Sequence, residues 1–408
     1  MSTAVGLEAG GVAAPLRVGL VAGEHSGDQL GAALIAALRA RVPALRCFGV
    51  AGPRMIAAGC EAWAAADELA VMGLAEVLRH LPRLLRLRRR LIERFHAEHP
   101  DVFIGIDSPE FNLHLARRLK AAGIRTVQYV SPQIWAWRQG RVRTIGAACD
   151  LVLCLLPFET DFYREHQVPA VFVGHPLADE IPLAVDARTA RRALGLAEEG
   201  PVVALLPGSR VGEVSRLAAP FVAAAARIAA THPGCRFLAP MASPEVRELF
   251  AKQVAQAPES LAIHLLEGQA QRALAAADGV LVASGTATLE TLLTGRPMVV
   301  AYRVSALTAL LIRTLGLVKV RYFSQPNLLC GRRLVPELFQ EQVTGTALSD
   351  ALLREMEDPA HVRELQQEFE AVHRSLRRGG AARAADAVLE LLHVVRADTA
   401  ESDSRLPG

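Results

Sequence analysis

The 408-residue chain lacks the residue patterns that mark several classes of protein. Its six cysteines include no Cys-x-x-Cys pair and no zinc-ligand spacing, so we expect reduced, mostly buried thiols in a cytoplasmic protein. No Asp-x-Asp pair occurs anywhere, so nothing in the sequence requires a divalent metal ion, and no cofactor is expected. A net charge of +3 is too small to indicate a nucleic-acid partner.

Long hydrophobic runs are missing as well. No apolar run reaches the roughly 18 residues that a membrane-spanning helix requires. Residues 1–15 are small and apolar, but they carry Glu8 and no basic segment, so no signal peptide is predicted. We therefore expect a chain that is soluble or binds a membrane only peripherally.

The composition that remains is typical of α/β proteins. Hydrophobic residues make up 51% of the chain and aromatic residues only 5%, which reflects alanine, leucine and valine. Apolar runs alternate with helical patterns in two successive sets, and such alternation predicts doubly wound parallel sheets. Since the length exceeds what one core usually supports, two domains are expected. The predicted units are Rossmann-like domains at 16–176 and 187–345, a linker at 177–186, helices at 346–395 and a disordered tail at 396–408.

Two glycine turns in the second domain predict a phosphate site. The apolar run Asp278–Ala283 ends at Ser284, Gly285 and Thr286, and a helical pattern follows. Ligands of open α/β sheets bind at the carboxyl ends of strands, where the N–H groups of a helix N-terminus attract anions. Glu290, one turn into that helix, is placed to accept hydrogen bonds from a ribose or sugar diol. The alternative is that these hydroxyls only cap the helix.

The second turn repeats this pattern. The apolar run Val202–Leu206 is followed closely by Gly208, Ser209 and Arg210. A forked guanidinium suits a diphosphate. Two such turns in one sheet are predicted to converge on one anion.

The first domain begins with a similar turn. Gly23 follows the first apolar run, and Ser26 with Gln29 has the spacing of a capping box. One interpretation is a loop that approaches a ligand and is lined by Glu24, Ser26 and Asp28. The other is a well-capped helix.

A carboxylate follows another strand of the first domain. The apolar run Asp101–Asp107 ends at Asp107, and Pro109 leaves this residue in a short connection before a helix that carries Asn112. A carboxylate in this position lies in the ligand crevice of a parallel sheet. The alternative is an aspartate that caps the helix.

A basic amphipathic helix is predicted at 74–95. Its polar positions include Arg86, Arg89 and Arg90, and such a helix can lie on anionic lipid. The apolar segment 305–318 is a second candidate for lipid contact. For the basic helix, the favoured alternative is an ordinary solvated face over a buried apolar stripe, since charge runs usually face water. For 305–318, the alternative is a core segment.

With these residues, the chain resembles the lipid-A-disaccharide synthase family of inverting glycosyltransferases, which have two Rossmann-like domains facing a cleft (GT-B type). The resemblance covers about residues 16–394. It is carried by Val21-Ala-Gly-Glu-His-Ser-Gly-Asp28, Gly49-Val-Ala-Gly-Pro-Arg54, Val71-Met-Gly73, Gly105-Ile-Asp-Ser-Pro-Glu-Phe-Asn112, Tyr129-Val-Ser-Pro-Gln-Ile-Trp-Ala-Trp-Arg138, Gly174-His-Pro176, Leu206-Pro-Gly-Ser-Arg210, Ala283-Ser-Gly-Thr-Ala287 and Gln325-Pro-Asn327. Glu110 stands where the family usually has aspartate.

The resemblance implies the substrates and the location. UDP-2,3-diacylglucosamine would donate its sugar to 2,3-diacylglucosamine 1-phosphate, giving a β-1,6-linked lipid A disaccharide 1-phosphate and UDP. The enzyme would work at the inner face of the inner membrane, and a homodimer is compatible with the family. UDP would bind the two second-domain turns, Glu290, Gln325 and Asn327.

Inversion in a single displacement requires a base on the acceptor side, and Asp107 is predicted to be that base because it alone ends a buried strand. Glu24, Asp28 and Glu110 are the competing carboxylates. Ser26, Asp28 and Asn112 would lie on the acceptor side. Three other interpretations share parts of this pattern: a different UDP-sugar GT-B enzyme, a sugar-nucleotide epimerase, and a non-catalytic sugar-nucleotide-binding membrane protein.

Overall fold

The computed structural model describes residues 15–23, 25–69, 74–137, 139–258, 261–305 and 321–403. The chain forms two compact units. Unit 1 consists of Met1–Trp135, Gln139–Gly174 and Gly379–Gly408, and unit 2 of Ala136–Arg138 and His175–Arg378. Each unit contains its own sheet, which confirms the predicted pair of doubly wound α/β domains.

The strands divide evenly along the chain. In its described residues, unit 1 contains β1 (Leu16–Ala22), β2 (Leu45–Ala51), β3 (Cys60–Ala65), β4 (Val102–Ile106), β5 (Arg125–Tyr129), β6 (Leu151–Cys154) and β7 (Ala170–Phe172). Unit 2, as far as it is described, contains β8 (Val202–Leu206), β9 (Arg236–Met241), β10 (Ile263–Glu267), β11 (Gly279–Ala283), β12 (Met298–Tyr302) and β13 (Glu337–Phe339).

Helices connect these strands. They are α1 (His25–Arg41), α2 (Pro53–Ala57), α3 (Leu74–Glu98), α4 (Pro109–Ala121), α5 (Ile134–Trp137), α6 (Val142–Ala148), α7 (Pro157–Glu165), α8 (Pro176–Glu180), α9 (Ala187–Ala193), α10 (Val211–Thr231), α11 (Pro244–Val254), α12 (Ala270–Ala276), α13 (Thr286–Leu293), α14 (Gln325–Cys330), α15 (Gly345–Glu357), α16 (Pro359–Leu376) and α17 (Gly380–Asp403). Single 3-10 turns lie at Ala66–Glu68, Gln139–Arg141 and Gln340–Gln342.

Both sheets have the topology of ligand-binding α/β folds. The strand order is β3-β2-β1-β4-β5-β6-β7 in unit 1 and β10-β9-β8-β11-β12-β13 in unit 2. The order therefore reverses between β1 and β4, and again between β8 and β11. These pairs are parallel, so the loops that follow them leave the same edge of the sheet. Ligands of such sheets bind at this switch point.

The central strands are apolar because helices cover both faces of each sheet. Every residue of β4, β8 and β11 is buried. On one face of unit 1, α1 and α17 share a core cluster that includes Leu34 and Val388. The helix α10 is long and apolar enough to cross a membrane by length and composition, but half of its most apolar stretch is buried inside the protein. It packs as a core helix of unit 2.

The structure differs from the sequence-based prediction at several elements. β3 and β13 were not predicted, because β3 is an edge strand with half of its residues exposed and β13 has only three residues. The helices predicted at 346–395 divide between the units, since α17 packs in unit 1. α17 also continues to Asp403, into the segment predicted to be disordered, and no glycine or proline interrupts the sequence before Pro407.

Candidate active site

The two predicted phosphate turns lie side by side in unit 2. β8 and β11 are neighbours, with Leu206 opposite Val282, so the Gly208 turn and the Gly285 turn leave the sheet at its switch point. Both glycines have positive φ, at +121° for Gly208 and +151° for Gly285. Such backbone favours glycine.

The Gly285 turn is open. A Cβ built on Gly285 would meet nothing within 4 Å, and the N-terminus of α13 has no side-chain cap. The Ser284 hydroxyl donates a hydrogen bond to the Phe323 carbonyl, 2.9 Å away, so it supports a neighbouring loop. The Thr288 hydroxyl donates to the Gly285 carbonyl at 2.7 Å. The free groups at this turn are therefore the first backbone N–H groups of the helix, beginning at Thr286.

The Gly208 turn is partly occupied by the protein itself. The Ser209 N–H donates to Glu213 Oε2 at 3.2 Å, and a Cβ on Gly208 would lie 2.6 Å from the same oxygen. Glu213 was not singled out in the sequence, although an acidic residue in the first turn of a helix is a common stabilising feature. The Arg210 side chain is 72% exposed, and its Nη1 lies 3.8 Å from Glu213 Oε1.

Two polar side chains lie close to the Gly285 turn. Glu290, on the first turns of α13, is half-buried, and burial raises the pKa of its carboxyl. Gln325 Oε1 is buried without a partner among the described residues, while the backbone N–H of Gln325 donates to Thr288 Oγ1 at 3.4 Å. A buried polar atom without a partner costs free energy, so Gln325 Oε1 is suited to a ligand.

Asn327 is a correction to the prediction. Its side chain is fully buried, with Oδ1 accepting from the N–H groups of Leu334 and Val335 at 2.6 and 2.9 Å. Its Nδ2 donates to the Val335 carbonyl at 3.0 Å. The amide thus stabilises the loop after α14 and is not available to UDP.

Glu337 is a residue of this region that the sequence did not indicate. Its carboxylate accepts from the N–H groups of Phe323 and Ser324 at 3.2 and 2.8 Å. Because the Phe323 carbonyl binds Ser284, Glu337 on β13 anchors the loop that borders the Gly285 turn. A three-residue strand gives no sequence signal for such a role.

Unit 1 places its predicted residues at the other switch point. β1 and β4 are paired up to Ala22 and Ile106, so Gly23 and Asp107 follow at one edge. A Cβ on Gly23 would clash with Ser108 Oγ, which explains the glycine. Glu24 lies outside the described residues. α1 begins at His25, so Ser26 lies exposed in its first turn and not at the predicted N-cap.

Asp107 has strained backbone and a half-buried side chain. Its φ is +52° and that of Ser108 is +42°, a conformation that costs a non-glycine residue about 1–2 kcal/mol. Such strain persists where the surrounding structure enforces it, and it clusters at functional sites. Burial raises the pKa of the Asp107 carboxyl, and the Ser108 N–H lowers it in part. A raised pKa favours proton acceptance.

Two other predicted acceptor-side residues, Asp28 and Asn112, make buried hydrogen bonds to the backbone; this corrects the prediction for Asp28, whereas Asn112 Oδ1 has no partner among the described residues. The buried Asp28 carboxylate accepts from the N–H groups of Gly52, Arg54 and Met55, at 2.9–3.0 Å, and so caps α2. Asn112 is fully buried and its Nδ2 donates to the Asp107 carbonyl at 2.8 Å.

Glu110, a competing base candidate, is exposed and pairs with Arg141 at 3.0 Å between Oε2 and Nη2. Trp135 is buried and donates to Glu159 at 3.2 Å.

The surface of α3 combines charge with exposed apolar side chains. Arg86, Arg89 and Arg90 are exposed, and Leu81 and Leu85 are 41% and 44% exposed. Arg89 pairs with Glu93 at 3.0 Å. The second apolar candidate, residues 305–318, lies outside the described residues apart from Ser305, as does Val71-Met-Gly73.

Comparison with known proteins gives one consistent family. The family model described as lipid-A-disaccharide synthetase matches residues 18–390. The lipid-A-disaccharide synthase of Alkalilimnicola ehrlichii is 54% identical over 376 residues, covering 92% of this chain and 98% of that protein. That of Pseudomonas aeruginosa is 53% identical over 377 residues, with the same coverage.

Solved structures support the fold. The glycotransferase of kitacinnamycin aligns with a TM-score of 0.59 at 18% identity, over 92% of this chain and 99% of that one. The UDP-GlcNAc 2-epimerase from Neisseria meningitidis aligns with a TM-score of 0.58 at 12% identity, with the same coverage. At these identities the likeness shows the two-domain α/β fold alone. The sequence match, which spans nearly the whole chain, shows that the protein belongs to the lipid-A-disaccharide synthetase family.

Proposed function

We propose that this chain transfers 2,3-diacylglucosamine from UDP-2,3-diacylglucosamine to 2,3-diacylglucosamine 1-phosphate, with inversion at the anomeric carbon. Its family makes it a glycosyltransferase of lipid A biosynthesis. The observation that supports the proposed sites best is the sheet topology. Asp107 follows β4 at the switch point of unit 1, and the Gly208 and Gly285 turns follow β8 and β11 at the switch point of unit 2, where ligands of such sheets bind.

On the donor side, unit 2 binds UDP. The uncapped N-terminus of α13 receives the diphosphate, and Arg210 supplies the positive charge. The half-buried Glu290 accepts from the ribose hydroxyls, and the buried, unpartnered Gln325 Oε1 accepts from the nucleoside. As UDP departs, the N-terminus of α13 and the Arg210 guanidinium stabilise the negative charge that develops on its phosphate oxygen.

On the acceptor side, Asp107 is the base. Its carboxylate takes the proton from the 6-hydroxyl while that oxygen attacks the anomeric carbon from the face opposite UDP. The bond from carbon to the UDP oxygen breaks in the same step, so the linkage formed is β. Asp107 is half-buried, and burial raises the pKa of its carboxyl, which suits proton transfer.

An assay of UDP release separates this proposal from its rivals. UDP should appear only when both the acylated donor and the acylated acceptor are present. An epimerase would convert the donor without acceptor, another GT-B enzyme would require a different acceptor, and a binding protein would release nothing. UDP release that ignores the acylated acceptor would reject the proposed reaction.

We also propose that α3 holds the enzyme on the inner face of the inner membrane. The exposed Leu81 and Leu85 insert between headgroups, and Arg86, Arg89 and Arg90 attract anionic lipid at about 1 kcal/mol each. Vesicles rich in anionic lipid should pellet the protein, and salt should release it. An Arg86, Arg89, Arg90 triple alanine variant that pellets as well as the parent would leave α3 an ordinary surface. A homodimer is proposed on the resemblance alone, and light scattering measures it.

A further inference from the structure

Three non-glycine residues with left-handed backbone lie at the ends of β4 and β5. They are Asp107 at φ +52°, Ser108 at +42° and Val130 at +74°. A β-branched residue such as Val130 is a clear outlier in this region. The two strands are paired, with Ile106 opposite Tyr129, and the Asp107 N–H donates to the Tyr129 carbonyl at 2.9 Å. The strained residues therefore form one connected feature.

Two buried side-chain amides donate to the carbonyls of this feature. Gln128, 1% exposed, donates from Nε2 to the carbonyls of Asp107, Tyr129 and Val130 at 3.1, 3.3 and 3.3 Å. Asn112 donates from Nδ2 to the Asp107 carbonyl at 2.8 Å and to the Ile106 carbonyl at 3.3 Å. The Asp107 carbonyl thus accepts from both amides, which fixes the peptide plane on which the left-handed conformation of Asp107 depends.

Gly105 makes this arrangement possible. It lies opposite Gln128 in the parallel register, so a side chain there would stand on the same face of the sheet. A Cβ on Gly105 would be 2.7 Å from Asn112 Cβ. The missing side chain lets α4 bring the Asn112 amide down beside Gln128, and close packing leaves the amides little freedom.

We propose that Gln128 and Asn112, the amide pair, are positioning residues for the Asp107 carboxylate. By holding the Asp107 carbonyl, the pair sets the backbone conformation that directs the carboxylate into the ligand crevice. The inference rests on the proposed role of Asp107 as the base. Both amides are buried and their donors are engaged with backbone, so each acts through the Asp107 carbonyl; Asn112 Oδ1 has no partner among the described residues.

The first test is Gln128→Leu in the full-length enzyme. Loss of the amide frees the Asp107 peptide, and a misplaced catalytic group costs about 10–10²-fold in rate, so kcat should fall by that factor. KM and UDP affinity should stay within about twofold, because unit 2 binds the nucleotide. Unchanged kcat would overturn the proposal. Thr126→Val is the matched control: Thr126 is a buried residue two positions earlier on the same face of β5, and its hydroxyl donates to the Ala148 carbonyl at 2.8 Å.

A double-mutant cycle separates positioning from general stability. In an Asp107→Asn background, Gln128→Leu should lower turnover by less than about twofold more, since no base remains to be positioned. A further loss as large as in the parent would overturn the positioning role and leave the role of Asp107 intact. Near-normal turnover of Asp107→Asn alone would instead reject the proposed base. If thermal denaturation shows that Gln128→Leu does not fold, Gln128→Met removes the same donor with an unbranched side chain.

Discussion

The Ser209 N–H donates to the carboxylate of Glu213, 3.2 Å away, at the turn that follows β8. A negative charge therefore stands beside one of the two turns predicted to hold a diphosphate. At the adjacent Gly285 turn, no side chain caps the N-terminus of α13 in the described part of the chain. We therefore propose that an anion at this edge is held by the N-terminus of α13 and the exposed Arg210 guanidinium, and not by the Ser209 N–H.

Arg210→Ala should weaken UDP binding by about 1.5–3 kcal/mol, the usual worth of a hydrogen bond to a charged group. Titration calorimetry with UDP measures the change. Arg192→Ala is the control, because Arg192 is an exposed arginine of unit 2 engaged with Glu198 at 3.0 Å. If Arg210→Ala and Arg192→Ala bind UDP equally well, the diphosphate does not bind at the Gly208 turn.

Asp28→Ala should destabilise unit 1 without changing UDP affinity. Three backbone N–H groups at the start of α2 lose their acceptor, and buried unsatisfied groups cost about 1–3 kcal/mol. Urea unfolding measures the loss, with Asp161→Ala on the exposed face of α7 as the control. A variant of parental stability that has lost turnover would return Asp28 to the ligand crevice.

The sequence predicted the fold and the ends of the right strands, because buried parallel strands are apolar runs with an abrupt end. It failed where a polar side chain serves the backbone. Asp28 and Asn327 stand beside glycine or proline in the sequence, as ligand residues of loops do, yet each lies in a helix and accepts from N–H groups of a neighbouring segment. Gln128 lies within a buried strand and reaches the Asp107 carbonyl only through strand pairing. No local pattern contains that contact.

The stability of the protein should depend on pH through His175. Burial lowers its pKa to about 4, with Asp179 opposing in part, whereas an unfolded histidine titrates near 6.5. Between these values the unfolded chain binds a proton that the folded chain does not, so stability falls as pH falls from about 6.5 to 4.

In the parent, the Leu177 N–H donates to His175 Nδ1 at 3.2 Å. His175→Asn removes the titrating group and keeps an acceptor for that N–H. The parent should therefore lose stability relative to the variant across that window, by up to about 1.4 kcal/mol per pH unit. Urea unfolding at pH 7, 5.5 and 4.5 measures the difference, and the exposed His264→Asn is the control. A difference that stays constant with pH would contradict the prediction.

The most direct test of the proposed mechanism is the turnover of Asp107→Asn, measured together with its UDP affinity. The substitution keeps the shape of the side chain and removes the base, so kcat should fall by about 10²–10⁴-fold while UDP binds as in the parent. Near-normal turnover would contradict the account, make Asp107 a residue of the β4–α4 connection only, and move the search for the base to Glu24.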